Sequence, residues 1–176
     1  MGATVNSELS GKVAIVTGAG RMRGIGRATA VILARMGSNV VVTGTGRNPD
    51  TFPHDEKDVG WRDIDSTVEE IQANGVRGLP LVVDVSSEMD VRRMIDSTIE
   101  EFGRLDIIVN NAAAPYGPDR VPVLDLTADV FKDVIDIKLM GTFYCSKAAA
   151  RQMVKQGEGG RIVNLSSTMG KSGHAN

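Results

Sequence analysis

The amino-acid sequence predicts an α/β fold, a doubly wound parallel sheet with helices on both faces. Short runs rich in valine and isoleucine alternate with stretches of helical periodicity, which is typical of a parallel sheet buried on both sides. The chain has 176 residues, of which 41% are hydrophobic and 24% are charged. This length and composition indicate one globular domain with a sizeable core.

Five apolar runs are the predicted strands. They read KVAIVTG at 12–18, NVVVTG at 39–44, LPLVVDV at 79–85, LDIIVNNAA at 105–113 and RIVNLSS at 161–167. Helical patterns lie between them at 26–37, 66–75 and 87–102. In the second of these helices, Ser66 and Glu69 have the spacing of a capping box.

A longer helix is predicted from its cap Thr127 to Gln156. At about 1.5 Å per residue it would be over roughly 40 Å long. Its apolar residues fall on more than one side, so we expect it to pack on its own sheet and on a second copy of the chain. The expected assembly is a homo-oligomer, either a dimer or a tetramer.

Residues 46–64 interrupt the alternation with a connection much longer than the usual two to six or so residues. Phe52 and Trp61 within it are consistent with a lid or a contact surface. A tolerated surface insertion is the alternative.

Charge, hydropathy and cysteine content exclude several classes of protein. The net charge of −2 gives no general attraction to nucleic acid, and no apolar run has the roughly 20 residues of a membrane span. The histidines and the single Cys145 are not spaced as metal ligands, so no metal site is expected. Cys145 lies within the long helical pattern, where a core position is more typical than a nucleophile. A lone cysteine also fits a reducing compartment, and we expect a cytoplasmic protein.

The first strand runs into a glycine-rich turn, TGAGRMRGIGRATA. Gly18 allows a tight turn, and Gly24 and Gly26 allow backbone to approach a ligand closely. The helix that follows offers free amides and a positive dipole end to a phosphate. The strict G-x-G-x-x-G pattern does not fit, so a purely structural junction remains an alternative.

Four motifs in order, TGAGRMRGIG, DV at 84–85, NNAA at 110–113 and GRIVNLSS at 160–167, resemble the short-chain dehydrogenase/reductase family. The resemblance implies a Rossmann-like fold with strand order 3-2-1-4-5, truncated after the fifth strand. It also implies that residues 1–176 form a single dinucleotide-binding domain, the N-terminal part of a longer domain. Two residues are added to the family's glycine-rich loop.

The resemblance assigns roles to particular residues. Cofactor contacts would come from Thr17, Gly18, Arg23, Gly24, Ile25, Gly26, Gly44, Arg47, Asp84, Val85, Asn111, Ala112 and Ala113. Asp84 would accept a hydrogen bond from the adenine amino group, with Val85 against the ring. A helix-capping or loop aspartate is the alternative for Asp84. Asn110 and Asn111 would steady the sheet beside the cofactor. Ala113 replaces a family glycine, which requires its φ to be negative.

Cofactor choice depends on the end of the second strand. An aspartate there would accept hydrogen bonds from the ribose of NAD and repel a 2′-phosphate, but this sequence has Gly44. Arg23 and Arg47 lie nearby as phosphate partners, so the sequence favours NADP over NAD. Both arginines are alternatively solvated surface charges.

The implied reaction centre is incomplete. Ser167 matches the serine that orients the substrate carbonyl. The family tyrosine, followed four residues later by a lysine, would fall beyond Asn176, and neither Tyr116 nor Tyr144 has a lysine at that spacing. Lys138 takes the place of the asparagine that supports the family's proton relay, or is simply an exposed lysine.

The resemblance implies an NAD(P)-dependent oxidoreductase that moves a hydride between nicotinamide and a carbonyl or alcohol substrate. Candidate substrates include 3-oxoacyl-thioester-like ketones. We expect the 176-residue chain to be inactive alone. The alternatives are a non-catalytic dinucleotide-binding module and a purely structural or interaction role.

Overall fold

Five parallel strands form one sheet in the computed structural model, which describes residues 7–114 and 117–167. The strands are β1 (Val13–Val16), β2 (Asn39–Gly44), β3 (Gly78–Val82), β4 (Ile107–Asn110) and β5 (Arg161–Asn164). Their order is β3-β2-β1-β4-β5, with β1 at the centre. The predicted fold class and strand order are confirmed. Both ends of the predicted domain 1–176 lie outside the described residues.

The part of the chain that the structure describes contains six α-helices. They are α1 (Ile25–Arg35), α2 (His54–Asp58), α3 (Ile64–Gln72), α4 (Glu88–Phe102), α5 (Ala128–Ile135) and α6 (Gly141–Gln156). Of these, α1, α3, α4 and α6 contribute residues to the cores on the sheet. Successive residues of a strand point to opposite faces, so Ile15 packs with α4 and α6 while Val16 packs with α1 and α3. Both side chains are fully buried. The sheet therefore has an apolar core on each face.

Two details of the helices differ from the sequence prediction. The helix predicted over 127–156 is interrupted by a π-helical segment, Asp136–Met140, which separates α5 from α6. Thr127 does cap α5, since its Oγ1 accepts a hydrogen bond from the Val130 amide at 3.3 Å. The predicted capping box is wrong, because α3 begins at Ile64 and the Ser66 hydroxyl accepts instead from the Arg62 amide.

No helix among the described residues is long and apolar enough to cross a membrane. The cytoplasmic location stays a prediction.

The amino ends of β1 and β4 are joined by Asp106. Its carboxylate accepts hydrogen bonds from the Val13 amide at 3.0 Å, from Lys12 at 3.1 Å and from two nitrogens of Arg104. Burial alone would raise the pKa of Asp106, but hydrogen bonds from Arg104, the Val13 amide and Lys12 outweigh it and hold this pKa below its ordinary value. Ionised Asp106 therefore stabilises the fold.

Asp106→Asn should lower the free energy of unfolding at pH 7 by about 1–3 kcal/mol, because charge-assisted hydrogen bonds are lost. A carboxyl whose pKa is lowered by folding contributes stability above its unfolded pKa, about 3.9, and that contribution is lost as the pH falls through the folded value. The difference between wild type and variant in urea unfolding should therefore shrink below about pH 4. Asp125→Asn, at an exposed loop position, is the control. An equal loss for both variants would contradict this role.

Candidate functional site

The carboxyl end of β4 holds the glycine-rich turn in place. Asn111 donates from Nδ2 to the carbonyls of Thr17 and Gly18, at 2.8 and 2.9 Å. The buried Thr17 hydroxyl accepts in return from the amides of Asn111 and Ala112, both at 3.0 Å. Thr17 and Asn111, two of the predicted site residues, thus form one reciprocal contact between neighbouring strand ends.

This contact leaves no room for side chains at two of the glycines. A Cβ on Gly18 would lie 2.8 Å from Cα of Ala112, and the residue has a φ of +67°, a conformation that only glycine adopts readily. A Cβ on Gly26 would lie 2.5 Å from Nδ2 of Asn111 and 2.6 Å from the Gly18 carbonyl oxygen. The turn is therefore closed on its inner side by backbone and by Asn111.

The first turn of α1 follows directly. Gly24 occupies the N-cap position in an extended conformation, and no side chain caps the helix. The first amides of a helix have no partner within it, and together with the helix dipole they attract an anion. Ile25, at the first helical position, is largely exposed, whereas Gly26 is buried. The N-terminus of α1 thus has the properties that suit a phosphate group.

Residues 46–64 pack against the outer side of this turn. Glu56, which is buried, accepts a hydrogen bond from the Met22 amide at 2.9 Å. Trp61 donates from Nε1 to the Gly20 carbonyl at 2.7 Å, and the guanidinium of Arg27 lies over its ring. The segment is neither an open lid nor a loose surface insertion. It supports the part of the loop that is two residues longer than the family pattern.

Arg47 lies in the middle of this packing. It donates to Glu56 at 2.9 Å, to Asp63 at 3.3 Å and to the Gly20 carbonyl at 3.1 Å, with its guanidinium over the ring of Phe52. Only 18% of its side chain is exposed. The alternative of a solvated Arg47 is therefore wrong. Sequence reasoning missed Glu56 and Asp63, since charged residues in a long connection are usually solvated.

Arg23 and Gly44 lie at the rim of the same region. Arg23 is largely exposed and forms an ion pair with Asp55 at 2.9 Å, so it matches the surface alternative. A Cβ on Gly44 would lie 3.0 Å from a methyl of Ile64 and 3.6 Å from Oδ1 of Asp63. Asp63 and Ile64, at the start of α3, therefore occupy the space into which a side chain at position 44 would extend.

Asp84 and Val85, the DV motif, have different environments, one exposed and the other buried. Asp84 is exposed, and its Oδ1 accepts from the amide and the hydroxyl of Ser86, at 2.9 and 2.7 Å. Asp84 thus adopts the loop arrangement that the sequence offered as the alternative. Both bonds from Ser86 go to Oδ1, and neither goes to Oδ2. Val85 is buried and packs against Gly141, where an added Cβ would lie 2.8 Å from Cγ2 of Val85.

The remaining predicted residues lie beyond β4 and on the α5–α6 side. Ala113 is exposed, and its φ is not positive, as required. Lys138 is exposed within the π-helical segment, and its side chain has no hydrogen bond or ion pair with another described residue. Ser167 is exposed and follows β5 at the same edge of the sheet. β4 pairs Asn110 with Asn164 of β5, and Asn110 donates to its side-chain oxygen at 2.7 Å.

Cys145 is a core residue, as expected. It is buried, and this burial raises the pKa of its thiol to about 12, so the thiol stays neutral. Among the described residues, no group of three or more His, Cys, Asp or Glu side chains is arranged to hold a metal.

A glycine-rich turn between β1 and α1, at the carboxyl ends of the strands of a parallel sheet, is typical of doubly wound dinucleotide-binding folds. The sequence matches the short chain dehydrogenase family over residues 12–176. The chain belongs to this family.

Known relatives agree with this assignment. The chain is 43% identical over 160 residues to the short chain dehydrogenase/reductase astE of Aspergillus oryzae, covering 90% of this chain and 54% of that protein. It is 36% identical over 171 residues to a 3-oxoacyl-(acyl-carrier-protein) reductase of Synechocystis, covering 96% and 62%. The structure of carveol dehydrogenase from Mycobacterium avium in complex with NAD matches with a TM-score of 0.82 and 31% identity, covering 97% and 59%. The chain thus spans little more than half the length of these relatives.

Gly20→Ala should break the packing between the glycine-rich turn and residues 46–64, because the new Cβ would lie 1.5 Å from Oδ1 of Asp63. We expect the free energy of unfolding to fall by about 1–3 kcal/mol, as in other overpacked sites. The emission of Trp61, the only tryptophan, should shift to longer wavelength as its bond to Gly20 is disturbed.

The control is the double variant Gly20→Ala/Asp63→Ala, in which the clash is relieved. Its loss of free energy of unfolding, relative to wild type, should be smaller than the sum of the losses measured for the two single variants. Additive losses would contradict the contact.

Proposed function

We propose that this chain forms the cofactor-binding part of an NAD(P)-dependent oxidoreductase. The observation that carries the proposal is the closed inner side of the turn at Gly18 and Gly26 beside the uncapped start of α1. A turn of this kind beside a free helix start is suited to a pyrophosphate. Family membership and the relative solved in complex with NAD support the same function.

The residues present fit a dinucleotide. The amides at the start of α1 would hold the pyrophosphate, Thr17 and Asn111 would keep the turn in its binding conformation, and the free carboxylate oxygen of Asp84 is placed at a strand end where it could accept a hydrogen bond from adenine. A bound nicotinamide dinucleotide would supply or take up the hydride.

We further propose substrate-side roles for Ser167 and Lys138. The Ser167 hydroxyl, exposed at the carboxyl edge of the sheet, would donate to a substrate carbonyl and orient it. Lys138 would donate a proton-relay hydrogen bond from the π-helical segment, a type of distortion often found at functional sites. The substrate would be a small carbonyl or alcohol compound, with 3-oxoacyl-thioester-like ketones as one class. The named Synechocystis relative supports that class.

The choice between NADP and NAD depends on the two arginines. The sequence favoured NADP because Arg23 and Arg47 follow a strand that ends in Gly44. Arg23 is free to turn toward a 2′-phosphate, because its ion pair with Asp55 is exposed. Arg47 is already engaged by Glu56 and Asp63, and this weakens the argument for NADP.

Titration of the chain with NADH, followed by nicotinamide fluorescence, should give saturable binding. Gly26→Ala should weaken that binding by about tenfold or more, since the new Cβ collides with Asn111 and the Gly18 carbonyl. Gly75→Ala is the matched control: its Cβ meets nothing within 4 Å and its φ of +79° adds only local strain. The proposal would be contradicted if wild type and Gly26→Ala bound NADH with equal affinity. It would also be contradicted if the wild type bound neither NADH nor NADPH.

We also propose that α6 forms a homo-oligomer contact, as the sequence predicted. Phe143 and Val154 are exposed and lie three helical turns apart on one face of α6. Val154→Glu should therefore weaken self-association by about tenfold or more in sedimentation analysis. Val123→Glu, at an equally exposed loop position, should leave association unchanged. A monomeric wild-type chain at high concentration would contradict the proposal.

A further inference from the structure

The end of β2 lacks the acid that usually selects NAD, but the structure supplies one from elsewhere. In dinucleotide-binding folds this acid follows the glycine-rich turn by about 20 residues, where this chain has Gly44. Asp63, from the far end of the 46–64 segment, approaches the same place: its Oδ1 and Oδ2 would lie 3.6 and 3.8 Å from a Cβ on Gly44. Its carboxylate also lies directly against Gly20 of the glycine-rich loop.

Asp63 is held there against its own backbone preference. It has a φ of +56°, the only positive value among the described residues other than glycine. Such a conformation is rare for a residue with a side chain and persists only where surrounding contacts enforce it. The amide and Nη2 of Arg47 provide these contacts, donating to Asp63 at 3.2 and 3.3 Å.

The ion-paired group of Arg47, Glu56 and Asp63 carries a net charge of −1. One guanidinium faces two carboxylates, Glu56 and Asp63, which expose 4% and 10% of their side chains. Its donors are directed to these acids and to the Gly20 carbonyl. To bind a 2′-phosphate, Arg47 would have to leave them, and two buried carboxylates would then stand unpaired beside the phosphate.

Arg47 and Asp63 of this cluster border a cavity of about 770 Å³. The other charged residues of the cavity lining balance in sign: Lys57 and Arg62 are positive, and Asp50 and Asp65 are negative. This volume is within the range of small-molecule sites. The cavity lies along the ends of β2 and β3, the side of the sheet where an acid would meet a ribose.

We infer that Asp63 and Glu56 are specificity-determining residues that select NAD over NADP. The inference rests on the proposed function. Asp63 stands where an acid would accept hydrogen bonds from ribose hydroxyls, and Glu56 shares in neutralising Arg47. Together they leave a net charge of −1 that repels a 2′-phosphate.

Dissociation constants of NADH and NADPH for the full chain, measured by nicotinamide fluorescence and checked by quenching of Trp61, test this assignment. The wild type should bind NADH at least about tenfold more tightly than NADPH, because a dianionic phosphate faces net negative charge at short range. This ratio should fall as ionic strength rises. The double variant Glu56→Gln/Asp63→Asn, which keeps side-chain size, should reduce the ratio by about tenfold or more, chiefly through tighter NADPH binding.

Two comparisons keep the test decisive. Asp58→Asn removes a charge from an exposed position of the same segment, and should leave the ratio within about twofold of wild type. Asp63→Asn alone serves if the double variant does not fold. A wild type that binds NADPH as tightly as NADH, or a ratio unmoved by loss of both carboxylates, would overturn the assignment while leaving the proposed function standing. Failure of both dinucleotides to bind would overturn both.

Discussion

The close approach of β4 to the glycine-rich turn is the constraint on which the site depends. Asn111 and Thr17 exchange hydrogen bonds across two neighbouring strands, and the backbones come so near that no Cβ fits at Gly18 or Gly26. The order of strands in the sheet places β4 beside β1 and makes this contact available. Because the turn is fixed in this way, α1 begins at the carboxyl edge of the sheet with its first amides uncapped. The order of the strands thus produces the helix start that we propose binds the pyrophosphate.

The segment 46–64 completes the site from the outside. Burying two carboxylates and a guanidinium is costly, and removing one partner costs more, because it leaves a buried charge without compensation. The arrangement around Arg47 is therefore poorly explained as a source of stability alone. It makes better sense as a way to support a lengthened glycine-rich loop and to set the charge beside the dinucleotide. Two of the departures from the family pattern, the longer loop and Gly44, meet at this one cluster.

Sequence reasoning predicted the fold well and the site only in part. Strands, most helix ends and the Thr17–Asn111 region follow from short-range patterns and ordered motifs, whereas the start of α3 was predicted two residues too late. The π-helical segment at Asp136–Met140 has no such pattern in the sequence. The contacts of Glu56 and Asp63 reach the turn from far along the chain and pair with groups that look solvated in the sequence. One signal in the sequence could have pointed to them: the long segment 46–64 directly follows Gly44, the position where the fold usually has an acidic residue.

A crystal structure of the chain with NAD tests the account most directly. The account predicts electron density for the pyrophosphate at the first turn of α1 and for the adenosine ribose beside Asp63, with Arg47 still paired to its two carboxylates. A saturating concentration of NAD that leaves this turn without density, or a dinucleotide bound elsewhere on the sheet, would contradict it.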